Sequence, residues 1–395
     1  MNSSEIYDFT AALEKLKSKN LYRNMLYLDS AQGPYTEVEG KNVLLLSSNN
    51  YLGLCNDERL KLAAISTIKE FGVGSGGSRL TTGSYKLHKE LEAKLATFKG
   101  TESALVFSTG YATNVGTLSA LADPDWVIFC DRLNHGSIID GCRLSGAKLV
   151  VYKHCDVEDL EKKIKRYHRT NGKGLIVTDG VFSMDGDLAP LPAIVDLAKK
   201  YNLLTMVDDA HGTGVLGATG SGTVAHYNLQ NQVDIQMGTL SKAFASEGGY
   251  IAGHESLITY IRHKAKSFIY STAPAPHTIA ISLKALEIIQ EDGERRKSLS
   301  EKSQWFRREL TTMGFQVPMN DTPIIPLLIG EADLALQYSK LLFEAGLYVP
   351  AIRPPTVPQG TSRLRFSIMA THSYEDLSLA LEKIYTIGKE LNLIK

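Results

Sequence analysis

The chain has 395 residues, of which 43% are hydrophobic and 22% charged. This suits a globular protein of roughly two or three packed units and excludes disordered, collagen-like and disulfide-framework classes. Lys plus Arg and Asp plus Glu both number 43, so no net basic field draws the chain to nucleic acid or an anionic membrane, and a small-molecule partner is expected.

The four cysteines, Cys55, Cys130, Cys142 and Cys155, form no C-x-x-C pair, which predicts a reduced, cytoplasmic protein without a metal site. The first twenty residues lack an apolar signal core, and no later run reaches the ~18 apolar residues of a membrane span. Residues 1–45 read as a helix and a hairpin-like segment, too small to support a core of their own.

From about residue 100, short apolar runs at 104–107, 127–130, 148–152, 175–178, 203–207, 235–238 and 250–252 alternate with helical patterns such as 157–168 and 191–201. Strand–helix alternation predicts an α/β domain over 46–285 with a mostly parallel sheet covered on both faces. Beyond it come helical patterns at 276–292 and 295–314, strand-like runs at 324–329, 347–352 and 364–369, and a closing helix over 373–391. Residues 286–395 thus read as a smaller α+β domain.

Gly72-Val73-Gly74-Ser75-Gly76-Gly77 matches G-x-G-x-x-G, but a helical pattern precedes it where dinucleotide binding needs a strand, so a close-packed loop is the better reading. The stronger constellation lies further on. The apolar run 203–207 delivers Asp208-Asp209-Ala210-His211-Gly212 at its carboxyl end, where open α/β sheets place ligands. About thirty residues later, Gly238-Thr239-Leu240-Ser241-Lys242 sets one lysine among small and hydroxyl residues. A strand-end acid and a Ser/Thr-flanked lysine are what pyridoxal 5'-phosphate requires: the acid for the ring nitrogen, the lysine for the Schiff base, the hydroxyls for the phosphate. Ser108-Thr109-Gly110-Tyr111-Ala112 adds a helix start whose free N–H groups suit that phosphate.

With Ser47-Ser48-Asn49-Asn50-Tyr51-Leu52-Gly53-Leu54, Gly74-Ser75-Gly76-Gly77-Ser78-Arg79 and His135-Gly136-Ser137 in the same order, the chain resembles the α-oxoamine synthase family of fold-type I pyridoxal-phosphate transferases. The resemblance implies that Lys242 holds the cofactor and moves the Cα proton, Asp208 faces the ring nitrogen, His211 lies at the phenolic oxygen and His135 stacks on the ring. It assigns Ser183 to the phenolic oxygen or substrate and Thr239, Gly110 and Tyr111 to the phosphate, with Ser271 and Thr272 reaching it from a second subunit. Arg353 would clamp the amino-acid carboxylate, Arg23 and Thr356 would contact the acyl substrate, and Asn49 would donate to a carboxylate. For Arg365, in a strand-like run of alternating pattern, the sequence leaves the role open, a structural one included.

The segment Ala351-Ile352-Arg353-Pro354-Pro355-Thr356-Val357-Pro358 resembles the biotin-pathway branch, which joins L-alanine to a pimeloyl thioester with loss of carbon dioxide. Glycine C-acetyltransferase chemistry on glycine and acetyl-CoA is the alternative. The family further implies a homodimer with active sites at the subunit interface. Asp209, where many members carry Glu, is expected to leave the chemistry untouched.

Overall fold

The computed structural model describes residues 8–19, 21–170 and 172–394, which fall into two compact units. One comprises 49–301 with 320–322, and the other the remaining terminal segments, 1–48, 302–319 and 323–395.

In chain order the strands are β1 (Tyr35–Val38), β2 (Lys41–Leu45), β3 (Ser103–Phe107), β4 (Trp126–Asp131), β5 (Lys148–Tyr152), β6 (Lys173–Asp179), β7 (Leu204–Asp208), β8 (Ile235–Thr239), β9 (Gly249–Gly253), β10 (Ile324–Gly330), β11 (Leu347–Tyr348), β12 (Ala351–Ile352) and β13 (Ser362–Ser367). The unit around 49–301 is built on a seven-stranded sheet of order β3-β9-β8-β7-β6-β4-β5. β9 runs antiparallel to both β3 and β8, and the other pairings are parallel. The expectation of a mostly parallel sheet holds, with β9 as the reversed strand.

Side chains that alternate along each strand feed two cores. Ile128, Cys130, Leu175, Val177 and Met206 join one cluster with Ile138 and Leu118, while Phe129, Ile176 and Val207 join the other with Leu160, Ile164 and Ile194. Both faces are therefore covered, which is why the strands read as continuous apolar runs rather than alternating ones. The connecting helices start where the sequence offers caps: Thr109 Oγ1 accepts from Ala112 N at 3.0 Å and Asp156 Oδ1 from Asp159 N at 2.8 Å.

Helix Glu58–Phe71 precedes Gly72, whose φ of +77° ends it. The glycine run is thus a loop after a helix, as expected, and not a strand-to-helix phosphate turn.

In the other unit, β1 and β2 form the expected hairpin, joined by β11; β10, β13 and β12 form a second three-stranded sheet. The strand read over 347–352 is in fact two short ones. Pro350 has no N–H to donate to a ladder, and the chain passes from β11, paired to β2, to β12, paired to β13. Arg365 is buried in β13 with Nη1 donating to Ser367 Oγ at 2.7 Å.

Candidate active site

The carboxyl ends of β6, β7 and β8 lie in register, Asp179 opposite Asp208 and Asp208 opposite Met237. They open into a cavity of about 260 Å³ lined by Gly110, Tyr111, Asn114, His135, Asp179, Ser183, Asp208, His211, Thr239 and Lys242 among others. This is where an open α/β sheet offers a crevice.

Asp208 is buried and its carboxylate is held from two sides: Oδ2 accepts from Asn114 Nδ2 at 2.7 Å and Oδ1 from Ala210 N at 3.0 Å. Asn114 is in turn oriented by Ser137 Oγ at 2.9 Å, and Ser137 Oγ lies 2.7 Å from His135 Nδ1. Asp179 has a different environment. Burial pushes its carboxyl well above the ordinary range, the neighbouring Asp208 adds to this, and Lys242 only partly opposes it. Of the two neighbouring acids, Asp208 accepts two N–H bonds, while Asp179 Oδ1 is buried without a hydrogen-bond partner. His135 is lowered from its usual range by burial and by Lys242, against the pull of Asp208, so at neutral pH it presents an uncharged ring.

Lys242 follows β8, and its Nζ lies 2.8 Å from His211 Nε2. On the other side of that ring, Nδ1 lies 2.6 Å from the Tyr51 hydroxyl, which donates to Asn49 Oδ1 at 3.1 Å. At the far wall, helix Gly110–Leu121 presents its first N–H groups, and Thr239 Oγ1 stands 2.9 Å from Ser241 Oγ. Backbone packs tightly behind that helix start: a Cβ on Gly249 would come within 2.7 Å of Gly110 Cα and 2.9 Å of its N. Only glycine lets β9 approach so closely.

An anion cradle at a helix N-terminus, a carboxylate held by two donors and one amine line a single cavity, and this donor set fits pyridoxal phosphate. The cavity's lining residues come from five separate segments of the chain.

Several of the residues singled out in the sequence lie elsewhere. Ser271 and Thr272 are not among the cavity's lining residues, and Thr272 bridges Ser78. Asn49 meets the cavity residues through Tyr51 and His211. In the other unit, Arg23, Arg353 and Thr356 line a cavity of about 570 Å³ with Tyr348, Phe343 and Leu336. Arg23 Nη2 donates to Thr356 Oγ1 at 3.0 Å and Arg353 Nη2 to Tyr22 O at 2.9 Å, while Arg353 Nη1 is buried without a hydrogen-bond partner. Burial, and then the charge of Arg23, lower the Arg353 guanidinium from its usual range, a strain that an anion would relieve.

Asn114 and Asp179 did not stand out in the sequence, and Tyr51 did so only as part of a motif, with no role attached. Asn114 follows the Thr109-Gly110 start by one helical turn and so faces the same way, which is the one local signal among the three.

Residues 41–384 match the model of the aminotransferase class I and II family. A serine palmitoyltransferase from Sphingomonas wittichii superimposes with a TM-score of 0.94 at 32% identity, covering all of both chains. An 8-amino-7-oxononanoate synthase from Francisella tularensis does so with a TM-score of 0.76 at 28% identity, over 88% of this chain and 98% of that one. The chain belongs to the α-oxoamine synthase branch of the aminotransferase class I and II family. A serine palmitoyltransferase described as holding the PLP internal aldimine shares the fold at a TM-score of 0.94 and 31% identity over both whole chains. The fold-type I architecture expected for α-oxoamine synthases is therefore borne out. Among this family's curated members, a relative from Acetivibrio thermocellus, provisionally named 8-amino-7-oxononanoate synthase, is 61% identical over 98% of this chain and 100% of its own. The 8-amino-7-oxononanoate synthase of Lysinibacillus sphaericus is 47% identical over 98% and 99%.

Proposed function

We propose that the chain is a pyridoxal-phosphate-dependent acyltransferase that condenses L-alanine with a pimeloyl thioester and releases carbon dioxide, the 8-amino-7-oxononanoate synthase reaction of biotin synthesis. The observation that carries the reading is identity of 46–61% along essentially the whole length of relatives bearing that enzyme's name.

When bound, pyridoxal phosphate supplies an electron-withdrawing ring that stabilises negative charge at the amino acid's Cα. The chain's own residues do the rest. Lys242 provides the amine that holds the cofactor and later moves the Cα proton, with His211 at 2.8 Å to share that proton. Asp208, fixed by Asn114 and Ala210 N, faces the ring nitrogen. His135, uncharged at neutral pH, offers a flat apolar face to the ring, and Ser183 serves the phenolic oxygen or the substrate. Gly110 and Tyr111 N–H groups with Thr239 hold the phosphate, and Ser271 and Thr272 complete that grip from a second subunit.

For the substrates, Arg353 takes the amino-acid carboxylate, its unpartnered Nη1 supporting that role. Arg23 and Thr356 take the acyl portion, and Asn49 donates to a carboxylate. Positioning of this kind supplies most of the rate in such reactions.

A homodimer with active sites at the interface is supported by exposed apolar side chains around the glycine loop and cavity mouth: Leu62, Ile65 and Ile68 on one helix face, with Val73, Leu80, Tyr111 and Tyr270. A cytoplasmic location is supported by four free cysteines, two of them buried. Among the described residues no helix is long and apolar enough to cross a membrane.

The test is a product assay with L-alanine and pimeloyl-CoA, paired with glycine and acetyl-CoA. Carbon dioxide and the nine-carbon amino-keto acid are expected from the first pair alone. Turnover with the second pair alone would replace this reading with the acetyltransferase one.

A further inference from the structure

β4 leaves the sheet before β6 does. The β4–β6 pairing ends at Cys130 opposite Val177, whereas β6 runs on to Asp179 beside β7. Gly180 N donates to Asp208 O at 2.7 Å on the β7 side, so Val177 O and Asp179 N point the other way, to the place β4 would occupy if it continued. The side chain of Asn134 fills that place. Its Oδ1 accepts from Asp179 N and its Nδ2 donates to Val177 O, both at 2.9 Å, and Nδ2 also reaches Cys130 Sγ at 3.1 Å. A residue of a parallel strand makes the same pair of bonds, to the carbonyl of one neighbour residue and the N–H of the residue two further on. A carboxamide carries a peptide's donor and acceptor, so Asn134 replaces a strand backbone opposite Thr178. A backbone N–H only donates and a backbone C=O only accepts, which assigns both ends of the amide.

The next residue is His135, which caps helix Gly136–Ser145 and lines the cavity. Asn134 is buried and is not among the lining residues. The start of the turn is held as well: Asp131 Oδ1 accepts from Leu133 N and Oδ2 from Cys155 N, both at 2.8 Å. The Cα of His135 thus lies one residue, about 3.8 Å, from a point pegged to the sheet.

We propose that Asn134 is a positioning residue for His135: by taking the place of the missing strand beside β6, its carboxamide holds the imidazole where it meets the cofactor ring. It touches neither cofactor nor substrate and acts through His135. The inference rests on the reading of His135 as the ring-stacking residue and adds to it what sets the imidazole's height above the sheet.

The experiment is a double-variant cycle on the holoenzyme: wild type, Asn134→Ala, His135→Ala and the two together, each scored by the dissociation constant of pyridoxal phosphate, its visible circular dichroism and the melting temperature. His135→Ala should weaken cofactor binding about fivefold and Asn134→Ala about threefold or more, both with a smaller dichroism band. In the His135→Ala background, Asn134→Ala should add less than about 1.5-fold. Asn134→Ser, which keeps a polar group too short to span both backbone partners, replaces the alanine variant if that one does not fold. A lower melting temperature with unchanged dissociation constant and dichroism would make Asn134 a plug of the sheet edge and overturn the proposal. Effects that multiply across the cycle would overturn it too, because Asn134 would then act by another route. If His135→Ala itself left both cofactor readouts unchanged, the stacking role of His135 would fall and this inference with it, whereas a loss in His135→Ala without one in Asn134→Ala overturns this inference alone.

Discussion

Replacing Lys99 with methionine should cost far more stability than a surface lysine. Lys99 ends helix Lys86–Lys99, and its amine is fully buried, 2.9 Å from Asp209 Oδ2 and 2.6 Å from Ser221 O. Burial alone would lower the lysine's pKa, but the neighbouring Asp209 and Tyr250 outweigh it and the net shift is upward, so the lysine is held charged. Methionine keeps most of the volume and removes the charge, leaving Asp209 buried with Thr223 N at 3.0 Å and the Thr223 hydroxyl. Breaking a buried pair from one side costs about 3–5 kcal/mol, which at an m-value of about 3 kcal/mol/M lowers the urea midpoint by about 1 M or more. The orphaned carboxyl should then have a raised folded pKa. A raised acid is destabilising above its unfolded value near ~4 and less so as it protonates, so the deficit should narrow as pH falls from 7 toward 5. Adding Asp209→Asn should recover at least about half of the loss, because no charge is left unpaired. Urea unfolding of the wild type, Lys99→Met and the double variant decides the matter: a single-variant cost under about 1 kcal/mol, or a double variant no better than the single, would refute the reasoning.

Three further outcomes are expected. Asn114→Ala removes the 2.7 Å donor to Asp208 Oδ2; with a charge-assisted bond worth about 1.5–3 kcal/mol, cofactor retention measured by dialysis and absorbance should weaken at least about tenfold. Gly249→Ala forces a Cβ to within 2.7 Å of Gly110 Cα, so phosphate grip should loosen while overall fold, followed by circular dichroism, persists. His154 is opposed by burial yet raised to about 12 by the carboxylates of Asp131 and Asp187 on either side, at 3.0 and 2.7 Å. A raised pKa gives stability that is full below the unfolded value near ~6.5 and is lost as pH rises toward the folded one. Melting temperature should therefore decline between pH 7 and 9, and His154→Gln should flatten that decline.

Local pattern carried the sheet and one half of the site. Apolar runs marked the strands because both sheet faces are covered, and Asp208 and Lys242 stood out because each directly follows such a run. What sequence spacing hides is contact across the fold. Asn114 meets Asp208 across 94 residues and Lys99 meets Asp209 across 110, so neither partner announces the other. Asp209 is a case in point: it reads as a bystander beside Asp208, yet it is the counter-ion of a buried lysine. Tyr51 sits inside a motif that names it without giving its partner. The break at Pro350 was written in the sequence, but the apolar residues on either side of it suggested one strand where the chain supplies two sheets.

Lys242 is proposed to hold pyridoxal phosphate in the cavity at the ends of β6, β7 and β8. Reduction of the holoenzyme with borohydride, followed by peptide mass mapping, tests it most directly. The expected result is a pyridoxyl-phosphate adduct on the peptide containing Lys242, absent from Lys242→Ala; an adduct on another lysine, or none on a cofactor-saturated protein, would contradict the account.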